Sequence, residues 1–253
     1  MVMTSSPGVR GSDTIDQEAP PVAPLSRLAR RVAGVSLVLA GVTNGLSQYL
    51  TEVVTGGHDS FSDQIRWGAD NPGVHQAEQF ALVVSMLFLP IGLLGLAQVS
   101  RWRAPRLTAV GLALVAWGMW GFHNVVAMGY TAGSVAPGVI GVDAAVALND
   151  GLVEHTGTMV VALLPHLVGS FVGLILLSIA CWRSRSFPRI PLVLLVAFLV
   201  WDFLLPSFGP LEAHLLLFVA LGWLGVHVIR MDDAAWRGSR VAHEADARPI
   251  LQR

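Results

Sequence analysis

Six stretches of roughly 20 predominantly apolar residues alternate along this chain with short segments that carry its arginines or its acidic and small residues. They fall at about residues 32–54, 78–99, 107–130, 156–182, 190–208 and 211–229. Leu, Val, Ala and Gly fill these stretches all the way round instead of along one stripe, the pattern of a helix immersed in lipid and not of one lying on a surface. A hydrocarbon core of about 30 Å takes about 20 such residues to cross. The pattern predicts an all-α fold: a polytopic transmembrane six-helix bundle.

Arginine placement orients the bundle. Arg27, Arg30 and Arg31 precede the first run, Arg101, Arg103 and Arg106 join the second to the third, Arg183, Arg185 and Arg189 join the fourth to the fifth, and Arg230, Arg237 and Arg240 follow the sixth. The alternate connections hold only Arg66, beside Asp59, Asp63, Asp70, Asp143 and Asp150. Basic residues in short flanking loops stay on the cytoplasmic side, so both termini are expected to be cytoplasmic, and the chain to sit in the cytoplasmic (inner) membrane. Residues 1–26, rich in Ser, Pro, Gly and acids, read as a disordered cytoplasmic tail. Residues 27–231 form the expected transmembrane domain, and 232–253 a flexible cytoplasmic tail. The first apolar run reads as an uncleaved anchor.

Composition narrows the function. With 53% apolar and 13% charged residues, against roughly 45–50% and 25% for soluble domains, a water-soluble enzyme is set aside. All 16 basic residues are arginine and are scattered, and with 17 acids the formal charge is −1, which leaves no basic face for nucleic acid. The single Cys181 forms neither an internal disulfide nor a Cys-rich metal centre. The partners expected are the lipid bilayer and a small solute or cation; the oligomeric state is not determined.

Packing signals are also present. Gly41 and Gly45, and Gly169 and Gly173, have the four-residue spacing that lets helix backbones approach in lipid. Pro90 and Pro165 each remove a backbone donor inside an apolar run and are expected to kink it. Trp102–Arg103 and Trp182–Arg183, followed by Pro105–Arg106 and Pro188–Arg189, either record a duplicated hairpin or reflect what any membrane hairpin carries at its ends.

The candidate chemistry collects in the half of the membrane opposite the arginines. Asn44, Gln48 and Glu52 form a stripe on the first helix, and His75, Glu78, Gln79, His123, Asn124, Glu154, His155, Asp202, Glu212 and His214 are contributed by the others. Ionisable groups in a span cost about 2.5–3.5 kcal/mol each on insertion scales and face protein or water. Glu78, Glu154 and Glu212 open helices, where the dipole favours an acid. Asp202 and Glu52 close helices, where it repels one. The expected site is therefore Asp202 with His123, at a similar depth, exchanging protons or binding a cation with help from Glu52, His155 and His214. The competing reading is a hydrogen-bonded pair that locks two helices.

His75, Glu78, His123, His155 and His214 supply metal-ligand types without a local ligand spacing such as HExxH. No nucleophile elbow, phosphate loop or dinucleotide fingerprint occurs, so no catalytic residue and no cofactor is assigned. A di-haem cage is not expected, because His155 and His166 share a helix face while His214 and His227, thirteen residues apart, do not; His166, next to Pro165, is expected to line the kink or a central cavity. The loop 131–151 is the expected cover of an outward-facing polar cavity. These features describe a small proton- or cation-linked transporter or sensor; the alternatives are an outer-face metal-dependent membrane enzyme or a non-catalytic partner subunit.

The run Arg30-Arg31-Val-Ala-Gly34, the Pro-Arg starts of the third and fifth helices and the six-helix layout resemble uncharacterised multipass membrane proteins of GC-rich actinobacteria. The resemblance covers residues 27–231. It implies a membrane location and carries no activity with it.

Overall fold

Proline and polar caps set where the helices begin. Pro72 and Pro105 each occupy a first helical position, where the missing N–H costs nothing and the fixed φ is already helical. The computed structural model describes residues 24–55, 60–205 and 212–238, and their regular structure is entirely helical. In chain order, α1 is one continuous helix over residues 24–55, built from Pro24–Ala40, a π-helical Gly41–Leu46 and Ser47–Thr55. Then come α2 Phe61–Asp70, α3 Pro72–Ser100, α4 Pro105–Ile140, α5 Val142–Glu154, α6 Thr156–Ser184, α7 Arg189–Leu204, α8 His214–Arg230 and the short α9 Asp233–Trp236.

Three of these, α3, α4 and α6, are long and apolar enough to cross a membrane. The other three long helices differ. α8 is apolar but has 17 residues and α7 has 16, or about 26 and 24 Å at 1.5 Å per residue. α1 is diluted by Asn44, Gln48 and Glu52.

α1 packs between α3 and α8, α4 lies along α6, and α7 bridges α6 and α8. Leu37, Leu93, Leu96, Leu177, Leu199 and Leu221, all essentially inaccessible, form the shared core. Both glycine pairs singled out by spacing lie at these contacts. A Cβ on Gly45 would stand 2.9 Å from the His214 carbonyl oxygen, and one on Gly169 would stand 2.8 Å from that of Leu114. Backbones thus touch where no side chain fits, the mode of association that lipid favours.

The two prolines behave differently. α3 runs through Pro90 as an α-helix. Around Pro165 the chain widens into two π-helical segments, Met159–Leu163 and Pro165–Ser170, the expected local response to a lost i→i−4 bond.

At one end of the bundle, α2, α5 and the π-helical Thr131–Val135 of α4 form a cap with a small core of its own, Ile65, Ala136, Ala145 and Val146. Arg66 is tied to Asp143 at 2.7 Å and Ser62 donates to Asp150 at 3.2 Å. The loop expected over 131–151 is therefore helical, but its residues do not line the central cavity; they pack on α2 and the start of α3 instead.

At the opposite end Arg27 and Arg30 reach Asp233 at 3.2 and 3.3 Å, placing the start of α1 beside α9. Trp102, Arg103, Arg185, Arg230 and Asp232 surround a cavity of about 530 Å³ there. The segment expected to be loose from 232 is folded as far as Gly238: Trp236 is buried, and Gly238 lies against the Trp102 ring. α1 likewise begins at Pro24, three residues earlier than expected. The remainder of both expected tails lies outside the described residues.

Candidate functional site: a cavity closed by Asp202, Glu212 and His214

A cavity of about 220 Å³ lies between α1, α3, α4, α6, α7 and α8. Its polar lining is Asn44, Gln48, His166, Ser170, Asp202 and His214; the rest is leucine, methionine and phenylalanine. Two of the four polar-bearing helices, α1 and α6, owe this placement to π-helical turns. Asn44 lies in Gly41–Leu46, and His166 and Ser170 lie in Pro165–Ser170. A π turn adds a residue to the helical repeat and shifts the following side chains around the axis, which is why such turns recur at functional sites.

The acidic end of the cavity is built at the junction of α7 and α8. Glu212 uses both oxygens on His214: Oε2 accepts the backbone N–H of His214 at 2.7 Å, and Oε1 stands 2.7 Å from Nδ1 of its ring. Asp202 Oδ1, from the last turn of α7, is 4.0 Å from the same Nδ1. One ligand-type atom from each of the three residues lies within 4.8 Å of the others. The side chains of Glu212, His214 and Asp202 are 10%, 20% and 30% exposed, so they are sheltered yet reachable. Glu52, closing α1, acts on His214 electrostatically. The Phe198 ring meets His214 edge-on with centroids 5.4 Å apart and fixes its plane.

Deeper in the cavity, His166 stacks on Phe122 at 4.9 Å and 15° and tilts against Phe203 at 5.6 Å. Its Nδ1 is 3.4 Å from the Ser170 hydroxyl. Its position next to Pro165 pointed to the kink or a central cavity, and in the structure it lines the cavity from within the π-helical Pro165–Ser170.

The other candidates separate. His123 is exposed on α4, on the outward stripe with Val110, Trp117 and Trp120, and is not brought to Asp202; the imidazole that meets Asp202 is His214. His155 is exposed and caps the start of α6 by accepting the Gly157 N–H at 3.2 Å. His75 and Glu78, both buried, face each other beneath the cap with Nδ1 and Oε2 3.5 Å apart, and Gln64 donates to the other Glu78 oxygen at 3.3 Å. Gly68 and Gly133 press against that ring. Two ligand atoms fall short of the three or four a zinc-type site uses. Glu212 is the residue that sequence reasoning left out of the site, because a helix-opening acid was already explained by the dipole.

No protein-family model, curated protein or solved structure matches this chain.

Proposed function

We propose that this chain is a six-span protein of the cytoplasmic membrane, with both termini inside, whose outward-facing cavity takes up a cation or exchanges a proton at Asp202, Glu212 and His214. Three helices long enough to cross, with α1, α7 and α8 packed among them, support the six-span reading. The arginine loops and both described chain ends gather at one end and the acid cluster forms at the other, in keeping with arginines held inside. The observation that carries the proposal is the convergence of two carboxylates and one imidazole at the edge of a cavity between all six helices. Groups of this kind inside a span are expensive to insert and mark ion or proton pathways. Glu52 takes the supporting role; His123 and His155 take none.

The test is flux in proteoliposomes carrying an internal pH-sensitive dye. Cation addition outside is expected to change internal pH with the wild type, and Asp202→Asn to abolish that change while the protein stays folded. Unchanged flux in that variant would leave the polar cluster a helix fastener and the chain a partner subunit.

A second reading draws on the ligand set itself. One nitrogen and two oxygens within 4.8 Å, open on the cavity side, match a metal centre with a vacant position for water. That reading requires stoichiometric zinc in the purified protein, lost in His214→Ala.

A further inference from the structure

We infer that the occupant of the central cavity is a small amphipathic organic cation, a protonated amine bearing an apolar or aromatic body, and not a bare inorganic ion. This rests on the reading above that the Asp202 cluster holds positive charge, and it names the class of molecule that carries the charge.

The first ground is the shape of the polarity. A hard inorganic cation is held by oxygen ligands on most sides. Here the carboxylates stand at one end only, and the cavity continues from them between Phe122, Phe198 and Phe203 toward Leu89, Leu174 and Leu221. Small-molecule sites have this character, mostly apolar walls with a few placed polar groups.

The second ground is size. A volume of about 220 Å³ would hold about seven waters at ~30 Å³ each, or one compact organic molecule. It is smaller than the roughly 300–1,000 Å³ of pockets for drug-sized ligands, which favours a monoamine with one ring or a short branched chain.

The third ground is charge. Asp202 and Glu212 flank the His214 imidazole at the polar end, Glu52 acts on it electrostatically, and no arginine among the described residues lines the cavity. An ammonium satisfies that end, whereas a carboxylate or phosphate meets like charge. Aromatic walls add to the preference, since ring faces attract ammonium groups by about 0.5–2 kcal/mol.

The fourth ground is the hydrogen bonding left over. The buried Nε2 of Gln48 has no hydrogen-bond partner among the described residues, and Asn44, 4% exposed and one turn away on the same helix, lines the same cavity. Buried polar groups in folded proteins are almost always paired. The Gln48 amide N–H thus suits a hydroxyl or carbonyl oxygen on the body of the amine, beside Asn44 in the same wall.

The experiment is calorimetric titration of the purified full-length protein in detergent with four probes of like size: benzylamine, benzyltrimethylammonium, benzyl alcohol and benzoate. Zinc and sodium chlorides are titrated in parallel. The two ammonium probes are expected to bind at least tenfold more tightly than the alcohol or the acid. Asp202→Asn, and independently Glu52→Gln, should each weaken ammonium binding about tenfold, with gel filtration reporting a folded protein. Leu82→Trp, which fills the cavity from α3, should weaken the ammonium probes without changing any inorganic ion that binds.

Benzyl alcohol binding as well as benzylamine, or Leu82→Trp leaving amine affinity intact, overturns the inference. Inorganic ions binding in an Asp202-dependent way while no amine binds overturns the inference and leaves the cation reading standing. No probe or ion responding to Asp202→Asn or Glu52→Gln removes both.

Discussion

Glu212 performs two tasks with one carboxylate, and these tasks can be separated. Its Oε2 caps the first turn of α8 and its Oε1 holds the His214 ring. Glu212→Gln keeps an acceptor for the backbone N–H, so the fold should lose less than ~0.5 kcal/mol, while removing the charge should weaken cation binding about tenfold, or ~1.4 kcal/mol. Glu212→Ala loses the cap as well, and a further ~1 kcal/mol of stability should go with it. Thermal unfolding beside a binding titration separates the two variants; equal binding loss with no stability difference would count against the dual role. At this scale the chain could be read only in part. Asp202 was legible because an acid at the C-terminal end of an apolar helix has no dipole explanation. His123 misled because depth along a helix follows from counting residues, whereas direction around it does not. A step of one residue turns a side chain by 100°, and so Phe122 lines the cavity while His123 faces outward.

Among the elements, α8 is positioned by α1, and that contact carries the site. A Cβ on Gly45 would meet the Phe218 backbone nitrogen at 2.5 Å and the His214 carbonyl oxygen at 2.9 Å, so the start of α8 must move to admit it. Gly45→Ala should cost about 1–3 kcal/mol of stability and weaken binding with it, because His214 is displaced. Gly222, on the same α8, has open space around it, and Gly222→Ala should be neutral or gain up to ~1 kcal/mol in helix propensity. Thermal denaturation of the pair in one detergent checks the contrast, and equal effects would mean that the close approach does not position α8. The spacing of Gly41 and Gly45 announced a contact, and the partner helix emerged only on folding. The π turns at Asn44 and Pro165 are less legible still. A proline signals a lost hydrogen bond, but whether the helix keeps its α repeat, as at Pro90, or widens, as at Pro165, depends on what neighbouring helices leave room for.

For the whole molecule, the polarity of its two ends is the property to test. Arg103, Arg185 and Arg230 share one end with the α1–α9 ion pairs, and the acid cluster takes the other. In a Cys181→Ala background, a cysteine placed at Ser60 should react with a membrane-impermeant maleimide on intact cells. One placed at Arg237 should react only after permeabilisation. Labelling of the Arg237 site from outside would reverse the proposed orientation and put the cavity on the cytoplasmic face. Cys181 is fully buried, so its removal matters chiefly to packing; Ala is smaller and its modest destabilisation is tolerable in a labelling experiment.

What the chain determined by itself is the set of properties that local composition controls. These are helices where apolar runs approach the thickness of a bilayer, starts at prolines, a polar half opposite an arginine half, and a contact wherever glycines recur at four residues. Each follows from the free energy of placing a short stretch in lipid or water, and short stretches are visible one at a time. Only the tertiary structure decided which imidazole meets Asp202, that Glu212 joins them, that the 131–151 segment caps α3 and not the cavity, and that the helices widen into π turns at Asn44 and His166. These depend on the rotation of each helix about its own axis, which backbone contacts between distant glycines and the added residue of each π turn set together.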